Sequence, residues 1–185
     1  MQFNDHSRLN LGHAFLSPSQ SSWINYDDEK LEQRYLTARA AQRGTELHAF
    51  AQEAIRLGIK LPNTKSELNM FVNDAIGFRM ESEQTLFYSE NCYGTADAIC
   101  FKRNLLRIHD LKTGVNPAGF MQLLVYAALF CLEYGYKPFD INYELRIYQN
   151  GEVVKEQPTG EDVAHVMSKI VHADKQLRAF KKKLS

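Results

Sequence analysis

The chain reads as a mixed α/β (α+β) fold, a central sheet flanked by helices. Three observations carry this. Residues 31–80 are rich in strong helix formers. Residues 85–111 switch to β-branched and aromatic runs. The remainder alternates again, giving the order ααα–βββ–α–ββ–α. With 185 residues, 44% apolar and 24% charged, the composition is that of an ordinary globular chain and argues against disorder. No internal repeat or Pro/Gly-rich linker divides it, so a single domain over 1–185 is expected.

The elements follow in order. Ser17-Pro18-Ser19 is a helix-start signal with proline in the first turn. Leu31–Leu57 reads as one kinked helix or two, interrupted by Gly44 and closed by Gly58 and Pro62. Thr64 and Glu67 have capping-box spacing and open a helix to about Met80. Thr85–Tyr88, Tyr93–Phe101 and Leu105–Leu111 read as strands. Asn116-Pro117 starts an apolar helix that stops at Gly135. Ile141–Tyr148 and Glu152–Glu156 flank the hairpin signal Asn150-Gly151. Thr159 starts a last helix, acidic at its beginning and ending in Lys181–Lys183, as the helix dipole favours. This gives a helical N-terminal part at 15–80, a sheet and helix at 82–157 and a C-terminal helix at 159–183.

Several function classes fall away on charge and texture. The 22 Lys and Arg balance 22 Asp and Glu, which excludes bulk-charge attraction to nucleic acid or membrane but allows a local basic groove. No apolar run reaches the ~18–20 residues of a membrane span. The polar opening Met1–Asn10 has no secretory pattern. Cys92, Cys100 and Cys131 are odd in number and widely spaced, so reduced thiols in a cytosolic protein are expected.

The most informative stretch joins Tyr93–Ile99 to Ile108–Gly114. If Arg103-Asn104 is a two-residue turn, Lys102 pairs with Leu105, Ile99 with Ile108 and Asp97 with Asp110. Alternation then puts Lys112 on the face of Asp110 and turns His109 to the other face, as a structural residue. Opposed like charges destabilise a sheet, so something must offset them. Lys112 supplies one charge and a divalent cation would supply two. Magnesium and manganese take oxygen ligands and suit such a carboxylate pair. A solvated Asp–Lys cross-strand cluster is the plainer alternative. His48, one turn beyond Gly44, is a candidate nitrogen ligand or an ordinary helix residue. Glu83 precedes a strand as a further acid or a surface glutamate. Gln122 and Tyr126 share one face of a helix that looks apolar nearly all round, and their polar groups need partners.

Four patterns stand in order: Gly44-Thr45-Glu46-Leu47-His48, Gly94-Thr95-Ala96-Asp97, Asp110-Leu111-Lys112-Thr113-Gly114 and Gln122-x-x-x-Tyr126. Together with Leu16-Ser17-Pro18-Ser19, they resemble the PD-(D/E)XK nuclease superfamily, in its RecB-like branch of phage and bacterial exonucleases. The resemblance spans about residues 15–150. It implies a restriction-endonuclease-like core. It implies Mg2+ or Mn2+ held by His48, Asp97, Asp110 and the Leu111 carbonyl, with Lys112 positioning the attacking water. Glu83 falls where relatives carry a supporting acid. DNA contacts are implied for Gln122 and Tyr126 and expected for Thr113, Thr45 and Arg43; phosphate contacts come into question for Arg34, Arg39 and Lys181–Lys183.

Two departures stand out: Gln52 occupies a place where the branch often has an acid, and the cysteines do not match the branch's iron–sulfur ligands, so no cluster is expected. The function implied is a metal-dependent DNA exonuclease acting on linear ends, single- or double-stranded, in the bacterial cytosol or encoded by a phage. A homo-oligomer or a recombination partner protein fits such a role; a membrane does not. The alternatives are a structure-selective endonuclease on the same core and a non-catalytic DNA-binding protein that kept the fold.

Overall fold

Asp27 starts the longest helix, α1 (Asp28–Leu57), by accepting the Lys30 amide on Oδ1 at 2.8 Å. The cap adds a turn before the expected start at Leu31, and Asp28 and Glu29 in that turn suit the dipole. Gly44 does not break the helix, which is continuous to Leu57. There Gly58, at φ +67°, and Ile59 return their amides to Ile55 and Ala54 and satisfy the last carbonyls.

The computed structural model describes residues 14–184; Met1–Asn10 lies outside them. The chain divides into two units, Met1–Arg43 and Gly44–Ser185, with the boundary inside α1. In the first, Ser17-Pro18 opens a 3-10 helix, Pro18–Asn25, and the Trp23 indole donates back to the Ser17 carbonyl at 3.0 Å. Phe15 meets Tyr35 edge to face.

The second unit contains a five-stranded mixed sheet in the order β1-β2-β3-β4-β5. Its strands are β1 (Glu81–Ser89), β2 (Cys92–Lys102), β3 (Leu105–Leu111), β4 (Asn142–Gln149) and β5 (Glu152–Glu156). Arg103 and Asn104 both have positive φ, giving the tight turn that pairs Lys102 with Leu105 and Ile99 with Ile108. Asn150-Gly151 turns the same way between β4 and β5. Only β3 and β4 run parallel. A parallel pair needs a crossover, and α3 (Met121–Tyr134) provides it. α3 starts later than Asn116-Pro117 suggests. Its first turn is solvent-facing at Met121 and Gln122, which corrects the expectation of a helix buried nearly all round.

The central strands β3 and β4 are covered on both faces, hence their near-continuous apolar runs. Leu106, Ile108, Leu145 and Ile147 pack with Leu123, Ala127 and Leu129 of α3 and with Val163, Val166 and Ile170 of α4 (Gly160–Leu184). Leu111, Cys100 and Tyr148 pack on the other face with Ala51, Ala54 and Ile55 of α1 and with Phe71, Val72 and Ala75 of α2 (Glu67–Phe78). The Thr64–Glu67 capping box does not form. α2 begins at Glu67 itself, so Glu67 is too early to reach back, and Thr64 instead accepts from Ser66 and Asn69. Thr159 does cap α4, exchanging hydrogen bonds with Asp162. Among the described residues, no helix is long and apolar enough to cross a membrane.

Candidate metal and phosphate site

The site forms where two departures from regular strand geometry meet the end of β3. The β1–β2 ladder pairs Ser82 with Ala98 and Gln84 with Ala96, but the intervening pair, Glu83 with Asp97, is missing. Glu83 sits at φ +51°, a left-handed conformation that costs a non-glycine residue about 1–3 kcal/mol. The irregularity changes the alternation. Ala96 packs into the α3-side core and Ala98 into the α2-side core, although strict period two would put both on one face. Strand residues 83 and 97 are thereby freed to aim their carboxylates at a common point.

His48 closes the group from α1. One ligand atom from each of His48, Glu83 and Asp97 lies within 4.8 Å of the others, the only such cluster among the described residues. His48 Nδ1 stands 3.5 Å from Asp97 Oδ2. The β2–β3 ladder stops at Ala98–His109, so the expected Asp97–Asp110 pair is not a ladder pair. At that point Asp97 Oδ2 accepts the Leu111 amide at 2.8 Å. Burial and the nearby Asp110 charge push the Asp97 carboxyl up to about 6, against the lowering effects of that amide and of His48.

Asp110 lies beside the triangle, not within it. Its side chain is 3% exposed and pairs with Lys112, whose Nζ is 3.1 Å from Oδ1 and 3.0 Å from Oδ2. The ammonium lies within ion-pair reach of both oxygens, and Oδ2 is buried with no second donor beside it among the described residues. A buried carboxylate oxygen, paired only with an ammonium, next to two acids and an imidazole is a donor set that fits a divalent cation.

The lysine is held from the opposite side as well. Lys112 Nζ donates to Gln122 Oε1 at 2.8 Å; Gln122 Nε2 donates to the Tyr126 hydroxyl at 3.3 Å; that hydroxyl donates to the Thr95 carbonyl at 2.7 Å. This chain joins the end of β3 to β2 through one face of α3. It also explains Gly94, because a Cβ there would lie 3.0 Å from Tyr126 Cε1. Gly94→Ala therefore has to displace a ring that is anchored at its hydroxyl. The expected cost is about 1–2 kcal/mol in thermal or urea unfolding, and Tyr126→Leu in the same chain should relieve most of it.

Gly44 has a matching role, since a Cβ there would lie 2.8 Å from Thr113 Oγ1. The loop after Lys112 is pinned by Gln149, a residue the sequence reading did not single out. Its side-chain nitrogen donates to the carbonyls of Gly114 and Asn116, and its oxygen accepts the Ala118 amide at 3.1 Å.

Of the sequence-derived set, the structure brings together His48, Glu83, Asp97, Asp110, Leu111, Lys112, Gln122 and Tyr126. Thr113 and Thr45 are exposed close by in sequence, and Arg43 belongs to the first unit. His109 lies on the opposite face, buried against Phe78 and Tyr148. Comparisons with protein-family models, with curated proteins and with solved structures return no match for this chain.

Proposed function

We propose that the second unit is a divalent-metal-dependent DNA exonuclease with a restriction-endonuclease-like core of the RecB-like PD-(D/E)XK type. The observation supporting it is the Lys112 ammonium, fixed between Asp110 and Gln122 beside the His48–Glu83–Asp97 triangle. A hydrolytic phosphoryl transfer needs those parts: a place for a cation, an acid cluster to hold it, and a cationic donor for water and for developing charge.

His48, Glu83, Asp97 and Asp110 are the groups that would hold Mg2+ or Mn2+, with the Leu111 carbonyl as a further ligand. Such an ion polarises a phosphoryl oxygen and makes water a stronger acid. Lys112 orients the attacking water and stabilises the negative charge gathering on phosphorus oxygens. Water's oxygen becomes bonded to phosphorus as the water releases a proton to solvent, one P–O ester bond breaks, and the departing sugar oxygen takes up a proton in its place. Asp110 and Gln122 position the ammonium, and Tyr126 positions Gln122 through the Thr95 carbonyl. One imidazole among carboxylates also suits a borderline ion, so manganese should work at lower concentration than magnesium.

A gel with end-labelled linear DNA, single- and double-stranded, beside a covalently closed circle tests the reading. Degradation of a linear substrate with Mn2+ or Mg2+, its loss in EDTA and an intact circle are expected. Cutting of the circle would assign an endonuclease, and inertness with every substrate and metal would leave a DNA-binding protein at most.

A further inference from the structure

We propose that the exposed face of the β1–β2 ribbon is a stacking ledge that feeds unpaired DNA bases toward the acid cluster, an inference that rests on the nuclease reading for the chemistry at its end. The ladder sets two cross-strand positions in a row, Phe87 opposite Tyr93 and Thr85 opposite Thr95, and the row leads to the unpaired step at Glu83 and Asp97. Alternation puts 85 and 87 on one side of β1, and 93 and 95 on the same side of β2. Leu86 and Ala96 face the other way, into the α3-side core.

The far end of the row is aromatic and open. Phe87 and Tyr93 are 47% and 64% exposed, with ring centroids 6.3 Å apart and planes 28° from parallel. The middle is polar, with the two threonine hydroxyls 3.1 Å apart. The aromatic pair and the acids are four residue steps apart along each strand, about 14 Å at the usual rise. A strand of DNA with its bases on the rings can therefore reach the acids without leaving the ribbon.

Two cations share a cavity with Phe87. Arg178 and Lys181 of α4 line a cavity of about 430 Å3 together with Phe87, Tyr88 and Glu90. Arg178 is held in place through Nε on Asp174 at 2.7 Å and still has a side chain 62% exposed. Lys181 is tethered to the Asn91 side chain. Aromatic faces for bases, with basic groups alongside for the backbone, are how proteins grip single strands without reading sequence. A duplex buries its base faces in its own stack and offers the ledge only a terminal pair.

The test is fluorescence anisotropy in EDTA, which separates binding from cleavage. The probes are a short labelled oligothymidine and a blunt duplex of the same length. Phe87→Ala and Tyr93→Ala should each weaken single-strand binding roughly tenfold, with the duplex affected far less. Tyr93→Phe should bind as the wild type does. Both positions are exposed, and unchanged melting temperatures check that the variants fold. No single-strand binding by the wild type, unchanged binding by the double alanine variant, or an equal loss for the duplex would each overturn the ledge. Wild-type cleavage measured in parallel with Mn2+ separates the two ideas. Cleavage without aromatic dependence overturns the ledge alone. Aromatic-dependent binding without cleavage supports the ledge and rejects the nuclease.

Discussion

Lys112→Ala should abolish cleavage and also destabilise the chain, and a second substitution should separate the two effects. The ammonium is the cationic donor nearest Asp110 and Gln122. Losing a donor of this kind costs about 10²–10⁴ in rate. Its removal also leaves the Asp110 carboxylate, 3% exposed, without its counter-charge. Breaking a buried pair from one side costs about 3–5 kcal/mol; with the Lys112 side chain 30% exposed, about 2–3 kcal/mol is expected here. Adding Asp110→Asn removes the stranded charge, so the double variant should regain most of the stability in urea unfolding and none of the activity. A single variant that melts like the wild type, or a double variant that cleaves, would contradict this placement of Lys112.

Much of the frame was readable from local chemistry. The Arg103-Asn104 turn fixed the register of β2 and β3, and register fixed which residues share a face. Gly94 and Tyr126 were legible only as separate motif letters. Their contact is a tertiary fact, a ring lying where a Cβ would be. The Glu83 conformation was beyond sequence reasoning, because nothing in Glu-Ser-Glu-Gln marks a left-handed residue. That one backbone departure turns a surface-strand glutamate into a member of the acid cluster. The aromatic ledge was hidden for a related reason. Phe87 and Tyr93 look like ordinary strand residues until the pairing of β1 with β2 shows that they meet on the uncovered side.

The buried acid cluster should destabilise the metal-free chain, and Asp97→Asn should show this. The Asp97 carboxyl is pushed up to about 6 in the folded chain, from an ordinary value of 3.8. Below the ordinary value, both folded and unfolded chains hold the proton and there is no penalty. Between the two values only the folded chain holds it, so stability falls as pH rises. Above about 6 the penalty is complete, about 3 kcal/mol at neutral pH. Asparagine keeps the acceptor for the Leu111 amide and can offer its NH2 to Glu83. Without metal, Asp97→Asn should therefore melt higher than the wild type at pH 7.5, by about 5–10 °C, and equally near pH 4.

His109 acts in the opposite direction. Burial, with Arg146, Arg107 and Lys155 nearby, holds its imidazole down to about 3. Only the unfolded chain takes up that proton between about 6.5 and 3, so stability falls with acid by about 1.4 kcal/mol per pH unit. In the wild type the two slopes nearly cancel between about pH 4 and 6. In Asp97→Asn the His109 slope is left alone, and acid should unfold the variant visibly where the wild type is flat. Mn2+ closes the test, because a ligand that binds only the folded chain raises its melting point. On the proposed metal site, that rise should appear in the wild type and be largely lost in Asp97→Asn, which removes the carboxylate charge proposed to attract the cation.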